Sequence, residues 1–196
     1  MNDYNQNKQI LFISSYPPRK CAIANHCKQL FDALSKGLDN SFSFQICALE
    51  KSEIVRNYPD ATYFVLNTTK STSCIDLAKK INRDENIMAV FIQHEFNLFE
   101  GEYGEGFLYL IYSLKKPSII AFHSVYPNPN HKRKQVVKGI AAVAKNVVVM
   151  ADYQAKILFN DYEIPPQKIV IIPQSKGKLA VNKISLQLPK QNNFVN

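Results

Sequence analysis

Seven short apolar runs recur along this sequence, and most of them are separated by segments in which apolar residues repeat at three- and four-residue spacing. Runs that are apolar throughout are typical of parallel strands covered on both faces. Strands that alternate with helices form parallel sheets, so we expect an α/β fold with a doubly wound, mostly parallel, Rossmann-like sheet and helices on both faces. The predicted strands are residues 9–15, 43–49, 62–66, 88–93, 118–122, 146–150 and 168–173.

Helix signals fill most intervals between these runs. Pro17 ends the first run, because proline cannot donate a hydrogen bond to a sheet. The first helix is predicted from the apolar spacing that begins at Cys21, and Gly37 ends it. Ser71 or Ser73 is predicted to cap the second helix. Further helices are predicted over residues 107–114, 136–143 and 151–160.

At 196 residues the chain has the length of one domain with a sizeable core. We assign residues 1–173 to a single Rossmann-like domain and residues 174–196 to an irregular basic tail, because the strand and helix patterns stop there. The four cysteines show no Cys-x-x-Cys spacing, which favours reduced, packed thiols over zinc or disulfides. With no apolar run of bilayer-spanning length and no leader-like start, we expect a cytoplasmic protein, and a peripheral position at the inner face of the membrane stays open.

The formal net charge of +8 favours an anionic partner, either a phosphorylated substrate or an acidic membrane surface. Part of the excess lies in residues 131–134 with Lys138, and part lies in the lysines of the tail. Such runs also occur as solvated faces with no binding role, so both interpretations stay open. Nucleic acid is not expected as a partner, because no basic segment is interleaved with aromatic residues.

Three loops rich in polar and turn residues follow the first, fourth and fifth predicted strands, at residues 16–20, 94–105 and 123–130. In the common strand order 3-2-1-4-5-6, ligands bind beyond the carboxyl ends of the strands where the order reverses, between strands one and four. In that order the three loops are neighbours. The sequence therefore predicts one cleft that all three loops line.

The candidate side chains in this cleft differ in charge. Arg19 and Lys20 precede a helix whose first amides lack intrahelical partners, which suits phosphate or carboxylate, although a solvent-facing pair is equally compatible. The second loop instead places Glu100, Glu102 and Glu105 around its glycines, and this negative charge suits hydroxyl-rich or cationic ligands. The glycine spacing is not G-x-G-x-x-G, so no dinucleotide site is predicted.

His123 ends the fifth predicted strand and is the candidate for a general base or for a hydrogen bond to a ligand hydroxyl, with a structural histidine as the alternative. His94 and Glu95 are adjacent on an extended segment, so their side chains point to opposite sides and do not converge with His123 on a metal ion. We therefore predict no metal site. His26 lies within the first helix and is predicted to be structural.

Five segments, in this order, resemble successive motifs of the amino-terminal half of family 4 glycosyltransferases. They are residues 12–24 (FISSYPPRKCAIA), 93–105 (QHEFNLFEGEYGE), 122–125 (FHSV) with 127–129 (PNP), 147–150 (VVVM) and 168–173 (KIVIIP). The resemblance implies one half of the GT-B architecture, in which two Rossmann-like domains face each other across a cleft. It further implies retaining transfer of a sugar from a nucleotide-sugar without a metal ion, with the acceptor held mostly by the amino-terminal domain and the donor by the carboxy-terminal domain.

By this resemblance His123 is the catalytic candidate, and a further set of residues would bind substrate. The set is Arg19, Lys20, Ala22, His94, Glu95, Tyr103, Gly104 and Glu105. The chain also departs from the family pattern. Ala22 stands where the family usually has a glycine close to the diphosphate, and Glu100 replaces a common glycine. After Pro173 the family continues with His-Gly and a donor domain, whereas this sequence continues with Gln174 and Ser175.

We therefore expect the acceptor-side half of a retaining glycosyltransferase, which transfers a sugar to a glycan or lipid-linked acceptor and is inactive without a donor-domain partner. That partner is expected to be a separately encoded donor domain or a second copy of the chain, and the acceptor a sugar or a lipid phosphate. No cofactor is expected to bind tightly, and a nucleotide-sugar is expected only together with a donor domain. The alternative is a non-catalytic, degenerate glycosyltransferase-like module that binds a glycan or regulates a partner.

Overall fold

The computed structural model describes residues 8–37, 42–51 and 56–173. Within these ranges the chain forms seven strands and five α-helices. The strands are β1 (Gln9–Ser14), β2 (Ser43–Glu50), β3 (Thr62–Asn67), β4 (Ile87–His94), β5 (Ser118–Phe122), β6 (Asn146–Val149) and β7 (Ile169–Ile171). The helices are α1 (Ala22–Gly37), α2 (Ser71–Arg83), α3 (Gly106–Ser113), α4 (His131–Val143) and α5 (Asp152–Asn160). Short 3-10 turns, Phe96–Leu98 and Pro166–Lys168, precede α3 and β7.

The strands form one parallel sheet in the order β3-β2-β1-β4-β5-β6-β7. This confirms the predicted α/β fold with a doubly wound, Rossmann-like sheet. The order reverses between β1 and β4, where Phe12 pairs with Phe91 and Ile13 pairs with Ile92. β2 and β3 extend the sheet on one side of β1, and β4 to β7 extend it on the other side.

Apolar side chains cover both faces of the sheet. On one face, Phe12 of β1 and Ile46 of β2 pack with Cys27 of α1. On the other face, Ile13 of β1 belongs to a larger cluster that includes the remaining helices. Those helices contribute Leu77 of α2, Leu110 of α3, Ile140 of α4 and Leu158 of α5. Neighbouring residues on a central strand therefore point towards different helices.

Most strand boundaries differ from the predicted ones by one or two residues, and two corrections concern α2 and β4. Lys70 occupies the position before α2 and makes no side-chain capping bond. Ser71 is already the first helical residue, and the backbone N–H of Ser73 donates to the Lys70 carbonyl at 3.0 Å, so the predicted serine cap is wrong. β4 begins one residue earlier and ends one residue later than predicted, and it therefore includes His94.

The cysteines are free, and Cys27, Cys47 and Cys74 are buried. Burial raises the pKa of the Cys27 thiol to about 12 and that of Cys74 to about 11, so both stay protonated at neutral pH. None of the helices in the described ranges has the length and apolarity that a membrane-crossing segment requires. The predicted basic tail, residues 174–196, lies outside the described residues.

Candidate functional site

A cleft of about 400 Å³ opens next to the point where the strand order reverses. The loops that follow β1, β4 and β5 all contribute to its lining. Its lining includes Arg19 and Ala22 from the first loop and helix, Glu95 and Asn97 from the second loop, and Ser124 and Tyr126 from the third. The three loops predicted to be neighbours therefore meet at one cleft, as expected for the carboxyl ends of strands at a switch point.

Glu95 is the acidic group of this cleft, and its carboxylate is held in one orientation. Its Oε1 accepts a hydrogen bond from the backbone N–H of Phe96 at 3.1 Å, and its Oε2 accepts one from the Ser124 hydroxyl at 2.6 Å. An ionised carboxylate offers about four acceptor positions, so these two bonds leave capacity for a ligand. Hydroxyl or amino groups of a ligand are the natural donors to those positions.

Arg19 is the basic group of the cleft. Its Nη1 donates to the Leu49 carbonyl at 3.2 Å and lies 3.9 Å from Oε2 of Glu50. The side chain is 23% exposed, and Arg19 is one of the residues that line the cleft. Ala22, the first residue of α1, also lines the cleft, whereas the exposed Lys20 does not.

His123 lies directly before the lining residue Ser124 and is half-buried. Its Nε2 is 2.9 Å from Oε1 of Gln93, and its ring lies edge-on to that of His26 with centroids 5.3 Å apart. Burial, followed by the charge of His26, lowers the pKa of His123 to about 4, so the ring is neutral at pH 7. Because a carboxamide oxygen accepts from Nε2, we assign the proton to Nε2 and the basic lone pair to Nδ1.

His94 does not reach the cleft, which corrects its predicted place in the lining. As the last residue of β4 it is 0% exposed, and its ring centroid lies 5.0–5.1 Å from those of Phe96, Phe107 and Phe122. Neither ring nitrogen has a hydrogen-bond partner among the described residues. Adjacent strand residues point to opposite faces, so Gln93 faces His123 while His94 enters the aromatic core. Burial, followed by the charge of His123, lowers the pKa of His94 to about 3.

Tyr103 lies beside the cleft without lining it. Its ring is 8% exposed, and its hydroxyl accepts a hydrogen bond from Nδ2 of Asn130. The Arg133 guanidinium lies 4.7 Å from the ring centroid of Tyr103 and 4.7 Å from that of Tyr126. Such cation–π contacts fix the position of both rings. Because Tyr126 lines the cleft, Arg133 connects the cleft to the Tyr103 segment.

Gly104 and Glu105 shape the same segment. Gly104 has a φ of +71°, and a Cβ there would lie 2.6 Å from the Phe96 carbonyl oxygen, so the position needs glycine. Glu105 accepts a hydrogen bond from the Tyr103 backbone N–H at 2.8 Å, and Nζ of Lys132 lies 2.7 Å from its Oε1. Among the residues implied by the resemblance, Tyr103, Gly104 and Glu105 therefore brace the loop against α4 and are not part of the cleft lining.

The lysines of the basic run at the start of α4 are paired with nearby carboxylates. Besides the pair of Lys132 with Glu105, the Nζ atoms of Lys134 and Lys138 lie 2.6 and 2.7 Å from the carboxylate of Glu163. Hydrogen bonds from these two lysines lower the pKa of Glu163 to about 2. The arrangement favours the interpretation of this run as a solvated, internally paired face.

Several residues of the site were missed from the sequence. Ser124 and Tyr126 belong to the loop of residues 123–130 that was predicted to line the cleft, but neither was among the predicted site residues. Glu50 was not among them either, although it is a polar residue that ends β2 at the edge of the sheet where ligands bind in such folds. In the described ranges, no group of three or more His, Cys, Asp or Glu side chains is arranged to hold a metal ion.

Comparison with protein-family models gave no match, and a search of curated proteins gave none either. The resemblance to family 4 glycosyltransferases therefore stays a prediction from the sequence.

Proposed function

We propose that this chain is the acceptor-side domain of a retaining, GT-B-type glycosyltransferase of family 4, and that its cleft holds a sugar or lipid-linked acceptor. In this proposal a second, donor-binding domain supplies the nucleotide-sugar, either as a separate chain or as part of an assembly of copies. The acceptor hydroxyl attacks the anomeric carbon, the bond from that carbon to the diphosphate oxygen breaks, and the nucleoside diphosphate leaves with the electron pair and takes up the proton of the hydroxyl.

The observation that carries the proposal is the fixed carboxylate of Glu95 in the cleft. Its bonds with Ser124 and the Phe96 N–H orient it before any ligand arrives, so little ordering is needed on binding. A carboxylate with free acceptor positions suits the hydroxyls of a sugar. The volume of about 400 Å³ falls within the range of about 300–1,000 Å³ that is usual for small-molecule sites.

The test is calorimetric titration of the protein with two panels, one of sugars and sugar phosphates and one of nucleotide-sugars. Glu95→Gln keeps the size of the side chain and its acceptor for Phe96 but removes the charge. We expect it to weaken acceptor binding about tenfold or more, because hydrogen bonds to a charged group contribute about 1.5–3 kcal/mol.

Glu102→Gln is the matched control. Glu102 lies in the same loop, is exposed, and faces Lys132 at 3.7 Å rather than the cleft. We expect the Glu102→Gln variant to bind the acceptor with the same affinity as the wild type. Equal affinity in Glu95→Gln, or no binding of any acceptor by the wild type, would contradict the proposal.

One observation favours the second candidate function, a non-catalytic glycan-binding or regulatory module. In the described part of the chain no histidine lines the cleft, and the catalytic candidate His123 lies next to the lining residue Ser124. The two candidates differ in whether the bound acceptor reacts. Ala22→Gly in this chain, fused to the donor domain of a family 4 glycosyltransferase, distinguishes them. Transfer by the fused variant supports the acceptor domain, and acceptor binding without transfer supports the binding module.

A further inference from the structure

Glu50 is a buried carboxylate at the carboxyl end of β2, beside the cleft but not part of its lining. Its side chain is 3% exposed, and it is surrounded by donors. Nε of Arg56 lies 2.6 Å from Oε1, the Tyr58 hydroxyl donates to the same oxygen, and Nη1 of Arg19 lies 3.9 Å from Oε2. A buried charge is tolerated in a folded protein only when it is paired with groups of opposite charge or with hydrogen-bond donors. This cluster supplies such partners for Glu50.

The charges in this cluster do not balance. Two guanidinium groups, those of Arg19 and Arg56, surround one carboxylate, so among the described residues one positive charge is left over. Arg19 is the member that lines the cleft. Both of its contacts, with the Leu49 carbonyl and with Glu50, use Nη1. The other guanidinium nitrogens make no hydrogen bond within the described residues, and they form part of the fork that matches an oxyanion.

We propose that Glu50 is a positioning residue, which holds Arg19 as a preset cation so that the cleft binds a ligand through a phosphate group. The inference rests on the proposed function, in which the cleft holds an acceptor, and it names the group by which that acceptor is held. The ligand is then a phosphorylated polyol. Its phosphate binds Arg19 and its hydroxyls donate hydrogen bonds to Glu95. The reverse orientation is unfavourable because the carboxylate of Glu95 would repel a phosphate.

The charge of Glu50 makes this proposal sharply testable. If Glu50 acted only through its charge, its removal would leave the cleft more positive and would tighten phosphate binding. If it positions Arg19, its removal frees the guanidinium and weakens binding in spite of the added positive charge. The sign of the change in phosphate affinity therefore separates positioning from simple electrostatics.

The experiment is titration of the full chain with inorganic phosphate, glucose 6-phosphate and glucose at low ionic strength. We expect Glu50→Gln to weaken both phosphate-bearing probes about three- to tenfold, the usual effect of freeing one ordered side chain. Asp32→Asn is the matched control, because it removes one exposed carboxylate, paired with Lys28 at 2.6 Å on α1, and so changes the net charge equally. We expect its phosphate affinity to be unchanged.

Arg19 variants keep the test decisive even if Glu50→Gln fails to fold. Arg19→Gln is expected to weaken phosphate binding about tenfold or more. Arg19→Lys keeps the charge but not the fork of the guanidinium, so its phosphate affinity should lie between those of Arg19→Gln and the wild type. In the Glu50→Gln background Arg19→Gln should weaken phosphate binding by a smaller factor than it does in the wild type. Wild-type phosphate affinity in Arg19→Gln, or tighter binding in Glu50→Gln, would overturn the proposal.

The probes also separate this inference from the proposed function. Phosphate binding that depends on Arg19 and Glu50, with no contribution from Glu95 to glucose 6-phosphate binding, would support the anion subsite and contradict the acceptor site. Glucose binding that depends on Glu95, together with a phosphate affinity that Arg19 and Glu50 variants do not change, would support the acceptor site and contradict the anion subsite.

Discussion

Replacing His94 with leucine is expected to raise the free energy of unfolding by about 1–2 kcal/mol at pH 7, and to remove much of the protein's loss of stability in acid. In the wild type both ring nitrogens are buried among phenylalanine rings, without a partner in the described residues. A buried polar group without a hydrogen bond typically costs about 1–3 kcal/mol. Leucine has a similar volume and no polar atom, so it fills the same space without that penalty. Urea denaturation at pH 7 measures the gain.

The acid effect has a definite sign. The pKa of His94 is about 3 in the folded protein, against about 6.5 in an unfolded chain. Between these values the unfolded chain binds a proton that the folded protein does not bind, so stability falls as the pH falls from about 6.5 to about 3. A single such histidine contributes up to about 1.4 kcal/mol per pH unit. His123 adds a smaller contribution of the same sign down to about pH 4, discounted because its ring is half-exposed.

The control for this prediction is His131→Gln. His131 is an exposed residue at the start of α4, so its replacement removes an imidazole without changing the core. Unfolding free energies at pH 7, 6 and 5 should then show a shallower slope only for His94→Leu. A slope equal to that of the wild type would show that the buried ring does not carry the acid sensitivity.

The place of His94 also shows what the sequence could predict and what it could not. Apolar runs and right-handed crossovers were enough to predict the sheet, because both depend on local patterns and on chirality. The alternation of side chains was predicted to point His94 and Glu95 to opposite sides, but it does not show which side borders the cleft. In the structure Glu95 lines the cleft and His94 lies in the aromatic core.

The remaining differences in the site have a tertiary cause. Glu95, Arg19 and Ala22 line the cleft, because each lies in a connection that leaves β1 or β4 at the switch point or begins the helix after it. Tyr103 lies outside the lining, and its ring packs against Arg133, which is distant in sequence. No local pattern contains a contact between two loops of this kind. The pairing of Glu50 with Arg19 belongs to the same class, since it joins the ends of two different strands.

Gly104→Ala is expected to lower the free energy of unfolding by about 2–5 kcal/mol, and to weaken acceptor binding as well. The φ of +71° is unfavourable for alanine, and the new Cβ would lie 2.6 Å from the Phe96 carbonyl oxygen. Left-handed backbone costs a non-glycine residue about 1–2 kcal/mol, and overpacking adds about 1–3 kcal/mol. Because this contact is with backbone, the relief must come from a shift of the chain at Phe96. The Phe96 N–H holds Glu95, so that shift would disturb the carboxylate of the cleft.

Gly139→Ala is the matched control for this effect, and urea denaturation with the calorimetric titration measures both variants. A Cβ at Gly139, within α4, would meet the Tyr112 hydroxyl at 2.5 Å, which is the tip of an exposed side chain that can move away. Within a helix alanine is also more favourable than glycine by about 0.5–1 kcal/mol, so this variant should be at least as stable as the wild type. If Gly104→Ala matched Gly139→Ala in stability, the loop would tolerate a side chain there. If Gly104→Ala were destabilised but bound the acceptor as tightly as the wild type, the position of Glu95 would not depend on the packing of Gly104 against Phe96.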